Sequence, residues 1–256
     1  MNEYENLTLM VENKIATISL NRPPVNALSI GLYRDIERVF DDVNGMAGVN
    51  VAILTGTGRC FCAGRDLKAA ETEDARERAR LVKAGLSAVY HCEVPVIAAV
   101  NGPAMGAGFC IAALCDIVLS SENAVFGMPE IDAGVNPSVA TILRGFNQFQ
   151  ARAMAFTGER YTPEDMYRLG MVRKIVPADE LLTEAAALAG ILAAKSPLAL
   201  RSAKWSANEA ELLMANFEQV YRSVESRVSD ANLNSHDRRE AARAFAERRA
   251  PVFTGS

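Results

Sequence analysis

The apolar positions of the first 60 residues change period twice. Leu7 to Val11 and Ile15 to Leu20 alternate apolar with polar side chains around Glu12-Asn13-Lys14, which predicts a β-hairpin. After the breaker Asn21-Arg22-Pro23-Pro24, Ser29 is placed to cap a helix whose apolar face is Leu32, Ile36, Val39, Phe40 and Val43, with Gly45 stopping it. Val51-Ala52-Ile53-Leu54 reads as a short buried strand ended by Gly56-Thr57-Gly58. The plan then repeats. A helix marked by Ala75, Ala79, Val82, Leu86 and Val89 leads to Val94–Val100, nearly all apolar, as a strand covered on both faces should be. Asn101-Gly102-Pro103 turns the chain and Gly106-Ala107-Gly108 opens a helical run through Leu114. Ile117-Val118-Leu119 and Ala124-Val125-Phe126 read as two more strands.

Beyond about residue 137 strand signals nearly vanish. Leu181, Ala185, Leu188 and Leu192 form one helical face; Leu213, Phe217, Val220, Val224 and Val228 form a second; Ala241, Ala242, Phe245 and Ala246 form a third, stopped by Pro251. The expectation is an α/β core over 1–195 followed by an all-helical region over 196–256. That region is too thin to hold a core alone and should pack on the first part or on another copy.

Composition narrows the function. Half of the 256 residues are hydrophobic and 23% are charged, an ordinary globular balance. A net charge of −4 argues against nucleic acid or an anionic membrane as the main partner. No apolar run approaches the ~20 residues of a membrane span. The acidic start Met1-Asn2-Glu3-Tyr4-Glu5 is unlike a secretory signal, so a cytoplasmic location is expected. The five cysteines then read as reduced, mostly buried thiols. His91 and His236 lie on polar stretches, neither near a Cys pair, so no metal site and no histidine triad is expected.

Three segments carry candidate chemistry. In Val96-Ile97-Ala98-Ala99-Val100-Asn101-Gly102-Pro103-Ala104-Met105-Gly106-Ala107-Gly108, a buried strand turns tightly into a helix start. The unpaired first amides of that helix suit a phosphate or an oxyanion formed during reaction. Glycines serving only strand-to-helix packing are the plainer alternative. A dinucleotide site is disfavoured: Ile111 stands where a third Gly would, and Asp116 is only ten residues past Gly106. Gly58-Arg59-Cys60-Phe61-Cys62-Ala63-Gly64-Arg65-Asp66-Leu67-Lys68 is a second glycine-bearing loop after a strand, able to add a second amide to one oxygen atom. Finally, Phe126-Gly127-Met128-Pro129-Glu130 places a carboxylate among Met128, Ile131 and Val135, where desolvation would raise its pKa toward that of a general base. On local grounds alone, an exposed loop glutamate is the better reading of Glu130.

In their order and spacing, Ala63-Gly64-Arg65-Asp66-Leu67-Lys68, Asn101-Gly102-Pro103-Ala104-Met105-Gly106-Ala107-Gly108 with Cys115-Asp116, and Phe126-Gly127-Met128-Pro129-Glu130 resemble the crotonase (enoyl-CoA hydratase/isomerase) superfamily. Leu20-Asn21-Arg22-Pro23 with Asn26-Ala27-Leu28, and Ala244-Phe245-Ala246-Glu247-Arg248-Arg249, extend the resemblance across essentially the whole chain. It implies an α/β spiral of ββα units and a C-terminal helical region used in trimer contacts, hence a homotrimer or a dimer of trimers. It also implies acyl-CoA thioester substrates, with CoA part of the substrate and no resident cofactor. By the same resemblance, the amides of Arg65 and Ala107 form an oxyanion hole, Glu130 is the acid/base, and Ala63, Gly64, Arg65, Asp66, Leu67, Lys68, Gly106 and Cys110 contact CoA or substrate. Arg65 stands where a small residue is usual, and Ala107 replaces a glycine; each keeps its N–H.

One departure bears on the reaction. Hydratases of this family hold a water between two glutamates. Glu130 matches the second, and the first falls on Cys110, a residue mostly protonated at neutral pH. Members with one glutamate at the second position include the Δ3,Δ2-enoyl-CoA isomerases, so isomerisation is favoured. Ser138 sits where the dienoyl-CoA isomerases carry an aspartate, which argues against that branch. The alternatives are a specialised hydratase, a decarboxylase or other reaction of this type, a non-catalytic acyl-CoA binder, which the presence of Glu130 speaks against, and an RNA-binding member, disfavoured by the net charge and the lack of a Lys-rich helix.

Overall fold

A computed structural model describes residues 4–69, 74–214, 236–249 and 251–252. The alternating N-terminal segments pair as an antiparallel hairpin, β1 (Leu7–Glu12) on β2 (Ile15–Leu20), with Leu7 opposite Leu20. From β2 the chain runs through Leu28 into α1 (Ile30–Gly45), capped by the Ser29 side chain. β3 (Val51–Gly56) leads through Cys62–Arg65 to α2 (Ala75–Tyr90). β4 (Val96–Val100) leads through β5 (Ala104–Met105) to α3 (Ala107–Leu114). β6 (Ile117–Ser121) leads through β7 (Phe126–Gly127) and a 3₁₀ turn (Pro129–Ala133) to α4 (Val139–Gly145). Then follow α5 (Gln148–Thr157), β8 (Arg160–Tyr161), α6 (Pro163–Arg168), β9 (Val172–Val176), α7 (Leu181–Ala193), α8 (Pro197–Met214) and α9 (His236–Glu247).

The same turn of chain thus recurs: a long strand, a short extended piece, a helix. The long strands build a sheet of order β1-β2-β3-β4-β6-β9, parallel except at β1–β2. The short pieces build a second ladder beside it. Leu28 bridges Arg65, Cys62 bridges Ala104, β5 pairs with β7, and β7 with β8. This is a spiral of ββα units.

Alternate residues of each central strand enter opposite cores. Ala52, Leu54, Ala98 and Val100 pack with α1, α2 and α3, whereas Val51, Ile53, Ile97 and Ala99 pack under Leu181, Ala185, Ala189 and Ala193 of α7. Helix α3 is buried from Gly108 to Leu114, so it has no solvent face.

Several expectations are corrected. Strands do occur beyond residue 137. β9 reads Val172-Arg173-Lys174-Ile175-Val176, and its two exposed charges suit the outer edge of the sheet while erasing the apolar run by which β4 is recognised. In α2 the buried stripe is Leu81, Gly85, Leu86, Val89 and Tyr90, and Ala75 and Ala79 are exposed. In α7, Leu188 and Leu192 flank the buried alanines instead of filling the face. In α9, Ala244 and Glu240 are buried, while Ala242, Phe245 and Ala246 are exposed. Leu213 falls in the last turn of α8, and Phe217, Val220, Val224 and Val228 lie outside the described residues. Among the described residues, no single helix is long and apolar enough to cross a membrane.

Candidate active site

The second ladder brings the three chemical segments together, because each follows a short piece of that ladder. Around Arg65 the backbone is clamped by Leu28, whose N–H donates to Gly64 O at 2.8 Å and whose C=O accepts Asp66 N–H at 3.0 Å. A parallel bridge of this kind uses the groups flanking Arg65, so the Arg65 N–H faces away from Leu28, toward the side of segment 104–107. On that side the two loops nearly touch. A Cβ placed on Gly64, whose φ is +87°, would lie 2.6 Å from Met105 O and 3.5 Å from Ala107 N. Only glycine fits there. Ala107 is the first residue of α3, whose cap Gly106 offers no side-chain acceptor, so its amide is one of the helix's unspent donors.

The carboxylate arrives by the next rung. Gly106 N–H donates to Gly127 O and Ala104 N–H to Val125 O, both at 2.8 Å, fixing β7 beside β5. Three residues on, the 3₁₀ turn carries Glu130 back over Gly106. A Cβ on Gly106 would sit 2.4 Å from Glu130 Oε1. The carboxylate therefore rests on the bare Cα of the residue preceding Ala107. Its Oε2 is buried and has no hydrogen-bond partner among the described residues. Burial pushes the Glu130 pKa up to about 7, opposed only by a bond to its own backbone. Of the side chains expected to desolvate it, Met128 is fully buried but Ile131 is exposed. The close backbone of Gly106 supplies what Ile131 does not.

The other expected contact residues divide. Ala63, Leu67 and Lys68 are exposed on the loop after Gly64's neighbourhood begins. Asp66 is committed elsewhere: it pairs with Arg22 at 2.7 Å and accepts the Lys68 and Ala69 N–H groups at 3.0 Å each. The Ala69 amide, followed by the Arg22 pairing, holds its carboxyl below the usual range. Its side chain stabilises the loop, and its own N–H is spent on Leu28 O. Cys110 is 2% exposed, its sulfur 3.2 Å from Thr141 Oγ1 and 4.0 Å from Met128 Sδ. The thiol is thus engaged in the α3–α4 contact.

Asn26 supports the site without having been assigned a role from the sequence. It is 1% exposed, and its amide nitrogen reaches Thr57 O, Cys60 O and Phe61 O at 3.1, 2.8 and 3.3 Å. It shapes the loop that ends in Gly64-Arg65. The only local sign was an Asn shortly after Arg22-Pro23-Pro24, at a position whose φ of 53° Asn tolerates better than most residues.

The arrangement sets the backbone of Arg65 and Ala107 beside a buried carboxylate, one oxygen of which has no partner among the described residues. It suits removal of a proton adjacent to a carbonyl, with the resulting oxyanion held by the amides. Comparison with known proteins agrees in kind. The family model "Enoyl-CoA hydratase/isomerase" matches residues 10–256. A carnitinyl-CoA dehydratase of Proteus mirabilis is 35% identical over 98% of this chain and 99% of its own. A crotonyl-CoA hydratase of Syntrophomonas wolfei is 32% identical over 98% of each chain. The crystal structure of an enoyl-CoA hydratase/isomerase from Pseudoalteromonas atlantica superposes with a TM-score of 0.89 at 28% identity, covering 98% of this chain and 100% of that one.

Proposed function

The chain belongs to the enoyl-CoA hydratase/isomerase family of acyl-CoA enzymes, and from that premise we propose that it shifts the double bond of an enoyl-CoA with Glu130 as sole acid/base. The observation that carries this reading is the carboxylate of Glu130: among the described residues its buried Oε2 has no partner, and position 110 holds a thiol bonded to Thr141. Glu130 takes a proton from C2 of a 3-enoyl-CoA. The electron pair moves onto the thioester oxygen, held by the N–H groups of Arg65 and Ala107. The same carboxyl returns the proton at C4, leaving the 2-enoyl isomer. Each amide donor is worth about 3 kcal/mol at such a site. The transfer needs no resident cofactor, since CoA enters and leaves with the substrate. A specialised hydratase is the second reading, favoured by relatives that are mostly named hydratases.

The two readings separate on the ratio of isomerisation to hydration at matched chain lengths. Isomerisation of 3-enoyl-CoA should exceed hydration of 2-enoyl-CoA in the wild type. Cys110→Glu combined with Thr141→Ala should raise hydration, because a second carboxylate can share a water with Glu130. Thr141→Ala vacates the space beside the Cys110 sulfur, which a longer side chain needs. Hydration near the diffusion limit in the wild type would reject the isomerase preference.

The pH profile gives a further check. A base must begin deprotonated, so kcat/KM should rise tenfold per pH unit below about 7 and level off above it. A rising limb near pH 4.5, the ordinary value for a glutamate, would mean that Glu130 is solvated or is not the base.

A further inference from the structure

We infer that Arg144 is a positioning residue, which couples the docking of α8 to the helix carrying the Ala107 amide. The inference rests on the oxyanion reading of Ala107. Helices α3 and α4 are joined by two polar rungs. Cys110 Sγ meets Thr141 Oγ1 at 3.2 Å, and Arg144 Nη1 donates to Ala113 O at 2.5 Å. Residues 110 and 113 are three apart, as are 141 and 144, so each pair shares one helix face. Thr141 gives its hydroxyl hydrogen to Ser138 O at 2.9 Å, so the Cys110 thiol is the donor in the first rung.

The second rung reaches further. The Arg144 Nε donates to Glu211 Oε1 of α8 at 2.7 Å, and the guanidinium lies 4.9 Å over the Tyr90 ring at the end of α2. Tyr90 in turn contacts Glu211 Oε2 at 3.4 Å. With its side chain 15% exposed, Arg144 is a largely desolvated hub of α2, α3, α4 and α8. It also supplies a cation to the C-terminal end of α3, which has no basic residue of its own in its last turn. Ala113 lies six residues from Ala107 in a helix buried all round, a span of about 9 Å. Such a rod transmits a shift at one end to the other.

Helix α8 docks through polar contacts. Arg201 pairs with Glu93. Lys204 Nζ donates to Val94 O at 3.0 Å and to Asp116 at 2.8 Å, and Asn208 Nδ2 donates to Tyr90 O at 3.2 Å. Residues 201, 204, 208 and 211 fall on one helical stripe. Directional bonds of this kind fix the helix's register, and the last of them is held by the guanidinium that also holds α3.

The test compares Arg144→Met, Arg144→Lys and Glu211→Gln with the wild type. Kinetics are read well below each protein's unfolding temperature, and binding of free CoA and of an enolisable 3-oxoacyl-CoA is measured alongside. The enolate of the latter places negative charge where the amides point. Arg144→Met should lower kcat about 10-fold with KM within threefold, and weaken the 3-oxoacyl-CoA about 10-fold while sparing free CoA. Glu211→Gln should lower kcat about threefold and add little to Arg144→Met, because both break one chain. Arg144→Lys keeps the charge but not the fork, and should recover part of kcat. A lowered Tm with kcat unchanged, or equal weakening of both ligands, would reduce Arg144 to a structural residue and overturn the inference. A wild type that binds the 3-oxoacyl-CoA no tighter than expected from its CoA part would instead overturn the oxyanion reading beneath it. Glu211→Gln, which removes no packing volume, keeps the question answerable if Arg144→Met fails to fold.

Discussion

Glu130→Gln is expected to lower turnover by at least about 10³-fold and, at the same time, to make the protein more stable at pH 8. The first effect follows from the proposed reaction, in which Glu130 takes and returns the proton, a contribution typically between 10² and 10⁴. The second follows from the site's electrostatics. The folded pKa of about 7 lies above the ordinary 4.5, so the folded protein holds a proton that the unfolded chain has given up. The neutral carboxyl contributes fully below pH 4.5. That contribution is lost as pH rises through 7, leaving a penalty on the order of 3 kcal/mol in the charged form. Glutamine cannot charge, so its Tm advantage should be absent near pH 5 and grow to a few degrees by pH 8. The gain stays below the full penalty because a buried amide without partners also costs free energy. Paired thermal melts at the two pH values, with turnover measured on the same preparations, check both halves. Wild-type-like turnover would remove Glu130 from the chemistry, and a Tm difference independent of pH would mean that the carboxylate is not buried in solution.

The parts of this fold that were legible are those whose pattern is long enough to be periodic. The β1–β2 alternation, the α1 face with its Ser29 cap and the all-apolar β4 could be read directly. The second ladder could not. Leu28 and Cys62 each contribute a single bridge, and β5 and β7 have two residues apiece, too few for a period; of the strand expected over Ala124-Val125-Phe126, only Phe126 lies in β7. That ladder is what carries Arg65, Ala107 and Glu130 to one place, and so their convergence came from resemblance instead of periodicity. β9 was missed because its charges suit a sheet edge. The α9 face was misread because Glu240, a residue expected outside, is drawn in by a bidentate pairing with Arg249 at 2.5 and 3.0 Å. Within the site, sequence named residues but not which of their atoms matter. Asp66 spends its carboxylate on Arg22 and its N–H on Leu28 O, and Cys110 turns its thiol to Thr141. Arg144 showed no signal at all, since an arginine near the end of a short helix reads as a surface charge.

Gly106→Ala should be the most damaging change outside Glu130 itself, lowering kcat/KM by about 10²-fold or more while the protein stays folded. The added Cβ would stand 2.4 Å from Glu130 Oε1 and 3.2 Å from its Cδ, so the carboxylate has to move by an ångström or so. A misplacement of that size is enough to cost about 10²-fold in a proton transfer. The backbone adds to the strain, because Gly106 has φ +55° and ψ −124°, a conformation outside the left-handed helical well that is open mainly to glycine and costs other residues on the order of 1–3 kcal/mol. Relaxing that angle would swing the Ala107 N–H, the next group along, off the oxygen that the proposed reaction has it hold. One methyl group would thus disturb the proposed base and the proposed oxyanion donor together. Shortening the acid separates these two effects. In Gly106→Ala/Glu130→Asp the carboxylate is drawn back from the new methyl, so the double variant should lose less than the product of its two single losses. Strict multiplication would place the damage at the Ala107 amide alone. A fully active Gly106→Ala enzyme would show that Glu130 does not rest on Gly106 during turnover, and the geometry that joins base to oxyanion hole would fall with it.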